Sequence, residues 1–192
     1  MSIQQRAISI ASGLGFGVVL LGGGVLFAAL PNAPAAAEMS NYSVTKVEAP
    51  RLLKVSALHL EPAGMGTFYF TIAVPASYGK SIEAIRISQI PGGDRIIDLE
   101  ANESKVVIGP RVTRNSEAIP LSAIGGPEDE TGALTLAFAQ PVVPGTTFTV
   151  AVEAERNPTS GGIYQFGVTV YPVGESTTGH YIGTGRVTFN SD

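Results

Sequence analysis

The chain has 192 residues, 44% hydrophobic and 15% charged, with 16 acidic against 12 basic residues and no cysteine. The missing cysteines exclude a disulfide framework, a thiolate zinc or iron–sulfur site and a cysteine nucleophile. The net charge of −4 argues against a nucleic-acid surface, and the composition suits one export segment plus one globular domain that depends on its own hydrophobic core.

In chain order, Met1 to Arg6 is a short polar start with one cation, followed by an uncharged apolar stretch of 24 residues from Ala7 to Leu30. Ala35 and Ala37 then give the small-x-small pattern that a signal peptidase needs, so residues 1–37 read as a secretory signal peptide. The apolar stretch also exceeds the ~20 residues that span a bilayer, which leaves an uncleaved N-terminal anchor as the alternative. The part after residue 37 carries 11 cations against 16 acids, a net charge of −5. Residues 38–50 are polar and read as a flexible lead-in, and residues 51–192 as the folded domain.

From Arg51 the pattern alternates. Leu53, Val55 and Ala57 predict one face of a first strand, although Leu58 makes its second face apolar too. Phe68, Phe70, Ile72 and Val74 against Thr67, Tyr69, Thr71 and Ala73 give a clear period of two, after a turn at Glu61-Pro62-Ala63-Gly64. Ile85 and Ile87 continue the series, and Pro91-Gly92-Gly93-Asp94 closes it. Residues 95–100 and 105–108 are short candidates separated by a polar hinge at 101–104, and residues 110–132 read as a long surface connection. Leu134, Leu136 and Phe138, then Phe148, Val150, Val152 and Ala154, resume the alternation on either side of the turn Pro141 to Gly145. In the last third, Tyr164, Phe166, Val168 and Val170 mark a central strand. The fold expected from this succession is all-β, a single β-sandwich of immunoglobulin-like or jelly-roll-like type with seven to nine strands, after an N-terminal export helix.

Several runs together resemble a known family. They are PVVPGTTFTV from Pro141, then Asn157-Pro158, Gly161-Gly162-Ile163-Tyr164-Gln165-Phe166, Pro172-Val173-Gly174-Glu175 and Gly183-Thr184-Gly185-Arg186. With FYFTIAVP from Phe68, they are similar to the signature of an uncharacterised secreted cyanobacterial family, domain of unknown function 2808. The resemblance implies an envelope location and a compact β domain, and it implies no activity. Residues 110–132 match it least. Within the signature, glycines serve backbone freedom at turns, Gly167 marks a close approach inside a strand, and Arg186 is placed to pair with Glu175 across the turn.

Candidate chemistry is sparse. No Gly-x-Ser-x-Gly accompanies the two histidines, His59 and His180, so a hydrolytic triad has no nucleophile elbow. His59, Met65 and His180 are weak metal candidates, because imidazole and thioether suit copper, and ALHLEPAGMG at 57–66 resembles the opening of periplasmic copper-binding sandwich proteins. No methionine-rich cluster follows it. Glu153 and Glu155 share a strand face as a glycosidase pair would, yet they follow the alternation of a wet face. Glu128-Asp129-Glu130 lacks the alternating carboxylates of a calcium loop. Tyr42, Tyr69, Tyr78, Tyr164, Tyr171 and Tyr181 are candidates for a sugar-stacking face, Tyr69 and Tyr171 lying opposite the main apolar rows.

The expectation is therefore an exported, non-enzymatic protein of the periplasm, envelope or extracellular space, acting as a structural or binding module. No catalytic residue and no cofactor is assigned. The partner is an envelope component or a second copy, with no nucleic acid, and the membrane is touched through the N-terminal segment where it stays uncleaved. The alternatives are a periplasmic copper or glycan binder and, behind them, a hydrolase.

Overall fold

The computed structural model describes residues 46–92, 96–125, 132–175 and 178–190. The strands in them are β1 (Arg51–Leu58), β2 (Gly66–Ala73), β3 (Ile82–Ile90), β4 (Leu99–Ile108), β5 (Leu121–Gly125), β6 (Leu134–Val142), β7 (Thr147–Ala154), β8 (Gly162–Pro172) and β9 (His180–Phe189). A single 3-10 turn, Ala76–Tyr78, precedes β3. The predicted export helix lies outside the described residues. Among those described, no helix is long and apolar enough to cross a membrane.

Two antiparallel sheets pack face to face as a β-sandwich, one in the order β1-β2-β7-β4 and the other β5-β6-β3-β8-β9. The alternation that predicted the strands is what fills the space between them. Phe68, Phe70, Ile72, Phe148, Val150 and Val152 point inward from the first sheet, and Ile85, Ile87, Leu134, Leu136, Phe166, Val168 and Val170 from the second, each buried. Aromatic rings join the layers. Phe166 stands 5.3 Å from Phe68 and 5.6 Å from Phe70, and Phe138 meets Phe148 edge-on at 5.7 Å, the geometry that ring quadrupoles favour.

In several places the chain departs from simple alternation. A β-bulge between Leu52 and Lys54 inserts Leu53, so Leu52, Val55 and Ala57 face the core while Leu53 is 49% exposed. The predicted inward face Leu53-Val55-Ala57 is corrected accordingly, since one extra residue flips every side chain before it. The predicted hinge at 101–104 is a register irregularity within one continuous strand, β4. The described part of the predicted 110–132 connection, residues 110–125, is more than a surface connection, while Glu128-Asp129-Glu130 lies outside the described residues. Ala118 bridges to Val107, Ile119 donates to the Val106 carbonyl, and the chain then crosses to the other sheet as β5. Finally, β6 continues through Pro141, and its pairing with β3 jumps from Ala137 opposite Ala84 to Val142 opposite Ile82. A residue without an N–H is tolerated in such an interruption.

The sandwich narrows where β1 meets β9. A Cβ on Gly185 would overlap the Val55 side chain, and one on Gly183 would stand 3.4 Å from Leu52 Cβ. These two glycines let the β1 side chains seat directly on the β9 backbone.

Candidate binding groove

The outward face of the β1-β2-β7-β4 sheet carries cross-strand rows that follow from the register. Lys54, Thr71, Thr149 and Val107 form one row, Ser56, Tyr69, Ala151 and Lys105 the next, and Leu58, Thr67, Glu153 and Glu100 a third. The segment after β4 folds over the first row instead of leaving the sheet. Thr149 Oγ1 donates to the Gly109 carbonyl at 2.8 Å, the Gly109 N–H donates to the Thr147 carbonyl at 2.7 Å, and Thr71 Oγ1 reaches the Pro110 carbonyl at 3.5 Å. Thr71 and Thr149 are also 3.2 Å apart and both buried, although they belong to the outer face. Gly109, at φ 106°, turns the chain in the left-handed region that glycine tolerates.

This overhang walls a groove of about 710 Å³, within the ~300–1,000 Å³ of small-ligand sites. Tyr69 lies on its floor between small neighbours, Ser56 and Ala151, so its ring is half-exposed. Leu53, Leu58 and Val112 supply apolar rim, and Lys54 and Arg111 are its two charged lining residues. Lys105 extends Tyr69's row on β4. Among the described residues none of these three cations has an ion-pair partner, and the Tyr69 hydroxyl has no hydrogen-bond partner. The groove thus presents an aromatic face, a free phenol and positive charge on a chain whose net charge is negative. Glu153 and Glu100, opposite each other one row further on, give that end of the face the other sign.

The signature residues are placed elsewhere, and most hold connections together. Asn157 is buried to 2% exposure between β7 and β8. Its Nδ2 donates to the carbonyls of His59 and Glu61, the latter at 3.1 Å, and its own N–H donates to the Gly64 carbonyl at 2.7 Å. It therefore clamps the β1–β2 connection, where His59 (φ 56°) and Ala63 (φ 58°) are left-handed without being glycine. A Cβ on Gly66 would overlap Asn157 Oδ1, so the clamp needs glycine there. Pro158 is buried beside Asn157, and Gly161 and Gly162 lead exposed into β8. Tyr164 packs edge-on against Phe189 at 5.3 Å with its hydroxyl 3.3 Å from the Ser160 carbonyl, and Phe166 sits in the core. Pro172 ends β8 and Gly174 (φ 79°) turns the chain. Gly167 does mark a close approach, since a Cβ there would lie 3.0 Å from the Tyr181 ring.

A family model described as a protein of unknown function (DUF2808) matches residues 43–189, a range that holds all of these residues. The chain belongs to this family. No curated protein matches it. Among solved structures it is similar to BslA, a bacterial hydrophobin, at 9% identity with a TM-score of 0.48, covering 77% of this chain and 98% of that one. It is also similar to the collagen-binding domain of a Staphylococcus aureus adhesin, at 9% identity and a TM-score of 0.39 over 70% of this chain and 94% of that one. A third is the collagen-binding subdomain of the Enterococcus faecalis surface protein ACE, at 13% identity and 0.39 over 70% and 95%.

The metal candidates of this family member are not brought together. Leu52 meets Gly183 and Val55 meets Gly185, so β1 and β9 run side by side in the same direction. His59, beyond the end of β1, and His180, at the start of β9, accordingly lie at opposite ends of a strand about 30 Å long. Met65 shares the β1–β2 connection with His59 and is 74% exposed. No group of three or more histidine or acidic residues among those described could hold a metal. Glu153 lies on β7, and Glu155 stands just past the strand end at Ala154, its N–H donating to the Asp98 carbonyl at 3.0 Å. Tyr171 lies on the other sheet, so it and Tyr69 form no common face.

The expected Arg186–Glu175 pair is corrected. Arg186 stands opposite Gln165, six residues up β9 from His180, or about 20 Å from the turn. Glu175 is held instead by Lys80 through a short charge-assisted contact, and by His180 Nε2 at 3.3 Å, while Tyr78 and His180 Nδ1 are 2.8 Å apart. Nε2–H donating to the carboxylate leaves Nδ1 to accept from the phenol. Burial pushes the Tyr78 phenol up, Lys80 opposing and Glu175 reinforcing it, so it stays protonated at neutral pH. The cluster ties the turn before β3 to the β8–β9 hairpin.

The hydrogen bond from Lys80 holds the Glu175 carboxyl below its usual range. A carboxylate whose folded value is lowered stabilises the fold above its unfolded pKa, and that contribution disappears as pH falls through the folded value. Thermal melts of the wild type and Glu175→Gln should therefore differ at pH 7 and converge as the solution is acidified. A gap that stays constant down to pH ~3 would show that the ion pair contributes nothing.

Proposed function

We propose that the protein is an exported, non-enzymatic module of the periplasm, cell envelope or extracellular space that binds a surface component in the Tyr69 groove. The observation that carries this reading is the overhang of residues 109–112. It is fastened by two buried threonines and by a backbone bond, and it turns a flat sheet face into a concave site with a half-exposed ring and cations that have no ion-pair partner among the described residues. A sheet face serving only as an outer wall needs no such fastening. Export is supported by the three-part N-terminal segment, whether cleaved or retained as an anchor. The non-enzymatic reading is supported by His180, whose two ring nitrogens are occupied by Tyr78 and Glu175, and by the separation of the other candidate groups.

Capture of envelope material on immobilised protein tests it. Tyr69→Ala and Arg111→Gln are each expected to reduce capture several-fold, as loss of a central aromatic or cationic contact does, with unchanged melting temperature for Arg111→Gln. Capture that is equal for wild type and both variants would contradict the assignment. Loss of capture on changing the opposite sheet, for example Tyr171→Ala, would move the site there.

A further inference from the structure

The lining of the groove constrains its ligand beyond the bare fact of binding. Both charged lining residues, Lys54 and Arg111, are cations, and Lys105 continues Tyr69's row on β4. Lys54 and Lys105 stand on strands three places apart, so their backbones are separated by about 14 Å, with Tyr69 between them. A ligand that engages both cations must be extended, must carry more than one anionic group, and must present a flat apolar face to the ring between them. The hydroxyls of Ser56 and Tyr69, in the row that Lys105 continues, add hydrogen-bonding groups suited to a hydroxyl-rich chain. The neighbouring Glu100–Glu153 row bounds the cationic part of this face on one side.

We infer that the ligand of the groove is an acidic polysaccharide, a uronate-bearing or sulfated glycan chain whose sugar ring stacks on Tyr69 while its anionic groups meet Lys54, Arg111 and Lys105. This rests on the groove being the binding site. Aromatic stacking supplies contact that salt does not screen, and the three cations supply attraction that it does.

Affinity electrophoresis of the full chain through native gels containing alginate, a polyuronate, or dextran, a neutral glucan, tests this inference. The protein is expected to be retarded by alginate and not by dextran, and the retardation to weaken steadily, without vanishing, as salt is raised toward about 0.5 M. The exposed double variant Lys54→Gln/Arg111→Gln is expected to weaken the apparent affinity about tenfold and to flatten its salt dependence. Tyr69→Ala is expected to weaken it about fivefold at every salt concentration. Retardation by alginate that both sets of variants retain would overturn the proposal, as would a lack of retardation by both alginate and a sulfated glycan such as dextran sulfate. Retardation by dextran that Tyr69→Ala abolishes and Lys54→Gln/Arg111→Gln leaves intact would overturn the acidic class while keeping the groove. Binding of single-stranded DNA as strong as that of alginate would overturn it too, since it would reduce the attraction to charge alone.

Discussion

Replacing Gly185 by valine is expected to lower the stability of the domain by about 3 kcal/mol, the upper range for overpacking a well-filled contact. A Cβ at this position would overlap Val55 Cγ2 and lie 2.5 Å from Val55 Cβ, which is no flexible side-chain end that could swing aside. The conflict therefore falls on the backbones of β1 and β9. Moving them apart would expose Leu52, Val55 and Ala57, which pack against the core from the edge of the first sheet. For a domain of this size the loss corresponds to a melting temperature roughly 10 °C lower. Two comparisons make the cause identifiable. Gly185→Val combined with Val55→Ala should recover part of the loss, a positive coupling between residues in contact. Gly125→Val should cost far less, because its backbone is not left-handed and a Cβ there meets only Thr135 at 3.8 Å. Equal losses at 185 and 125, with no recovery in the double variant, would refute the close approach of β1 to β9.

Asn157→Asp is expected to be at least as damaging as Asn157→Ala, although it is the closer match in shape. Alanine removes the donor for the His59 and Glu61 carbonyls and leaves them without it, a loss of about 2–3 kcal/mol. An ionised aspartate adds a buried negative charge facing the same two oxygens, and the loss should exceed about 3 kcal/mol at neutral pH. Burial and the carbonyls raise the pKa of that aspartate in the folded state. The unfolded chain then releases its proton first, so stability falls as pH rises above the ordinary aspartate value, ~3.9, and is partly regained below it. Melts of the two variants between pH 4 and 7 should show a pH-dependent deficit for aspartate and a pH-independent one for alanine. A pH-independent deficit for both would mean that residue 157 keeps no buried carboxylate near those carbonyls.

The sandwich was legible because period-two alternation survives in most strands. Phe68, Phe70 and Ile72 could face only one way, and glycine and proline marked the turns between such runs. The bulge at Leu53 was not legible, since an extra residue in a strand with two apolar faces leaves no local mark. Nor was β5, whose sequence Leu-Ser-Ala-Ile-Gly mostly faces solvent and takes its place from pairing with β6. Tyr69 was visible as a candidate stacking residue and residues 110–132 as a surface connection, but nothing local says that residues 110–112 fold back over Thr71, some forty positions earlier. That contact depends on Thr71 and Thr149 meeting across β2 and β7, a register known only once the sheet is assembled. The cations Lys54, Lys105 and Arg111 went unnoticed for the same reason. They are scattered over 58 positions of sequence and become one surface through strand pairing. For Asn157 the sequence marked the residue as part of a signature, and the structure supplies its task.

Amide chemical-shift mapping of the isotopically labelled protein, titrated with a soluble acidic envelope polysaccharide, tests the binding groove most directly. The expected result is a saturable set of shifts confined to residues 53–58, 67–71, 105, 109–112 and 149–151, abolished or strongly weakened in Tyr69→Ala. Shifts centred on the β8–β9 hairpin or spread evenly over both sheets, or a titration that Tyr69→Ala leaves unchanged, would contradict it.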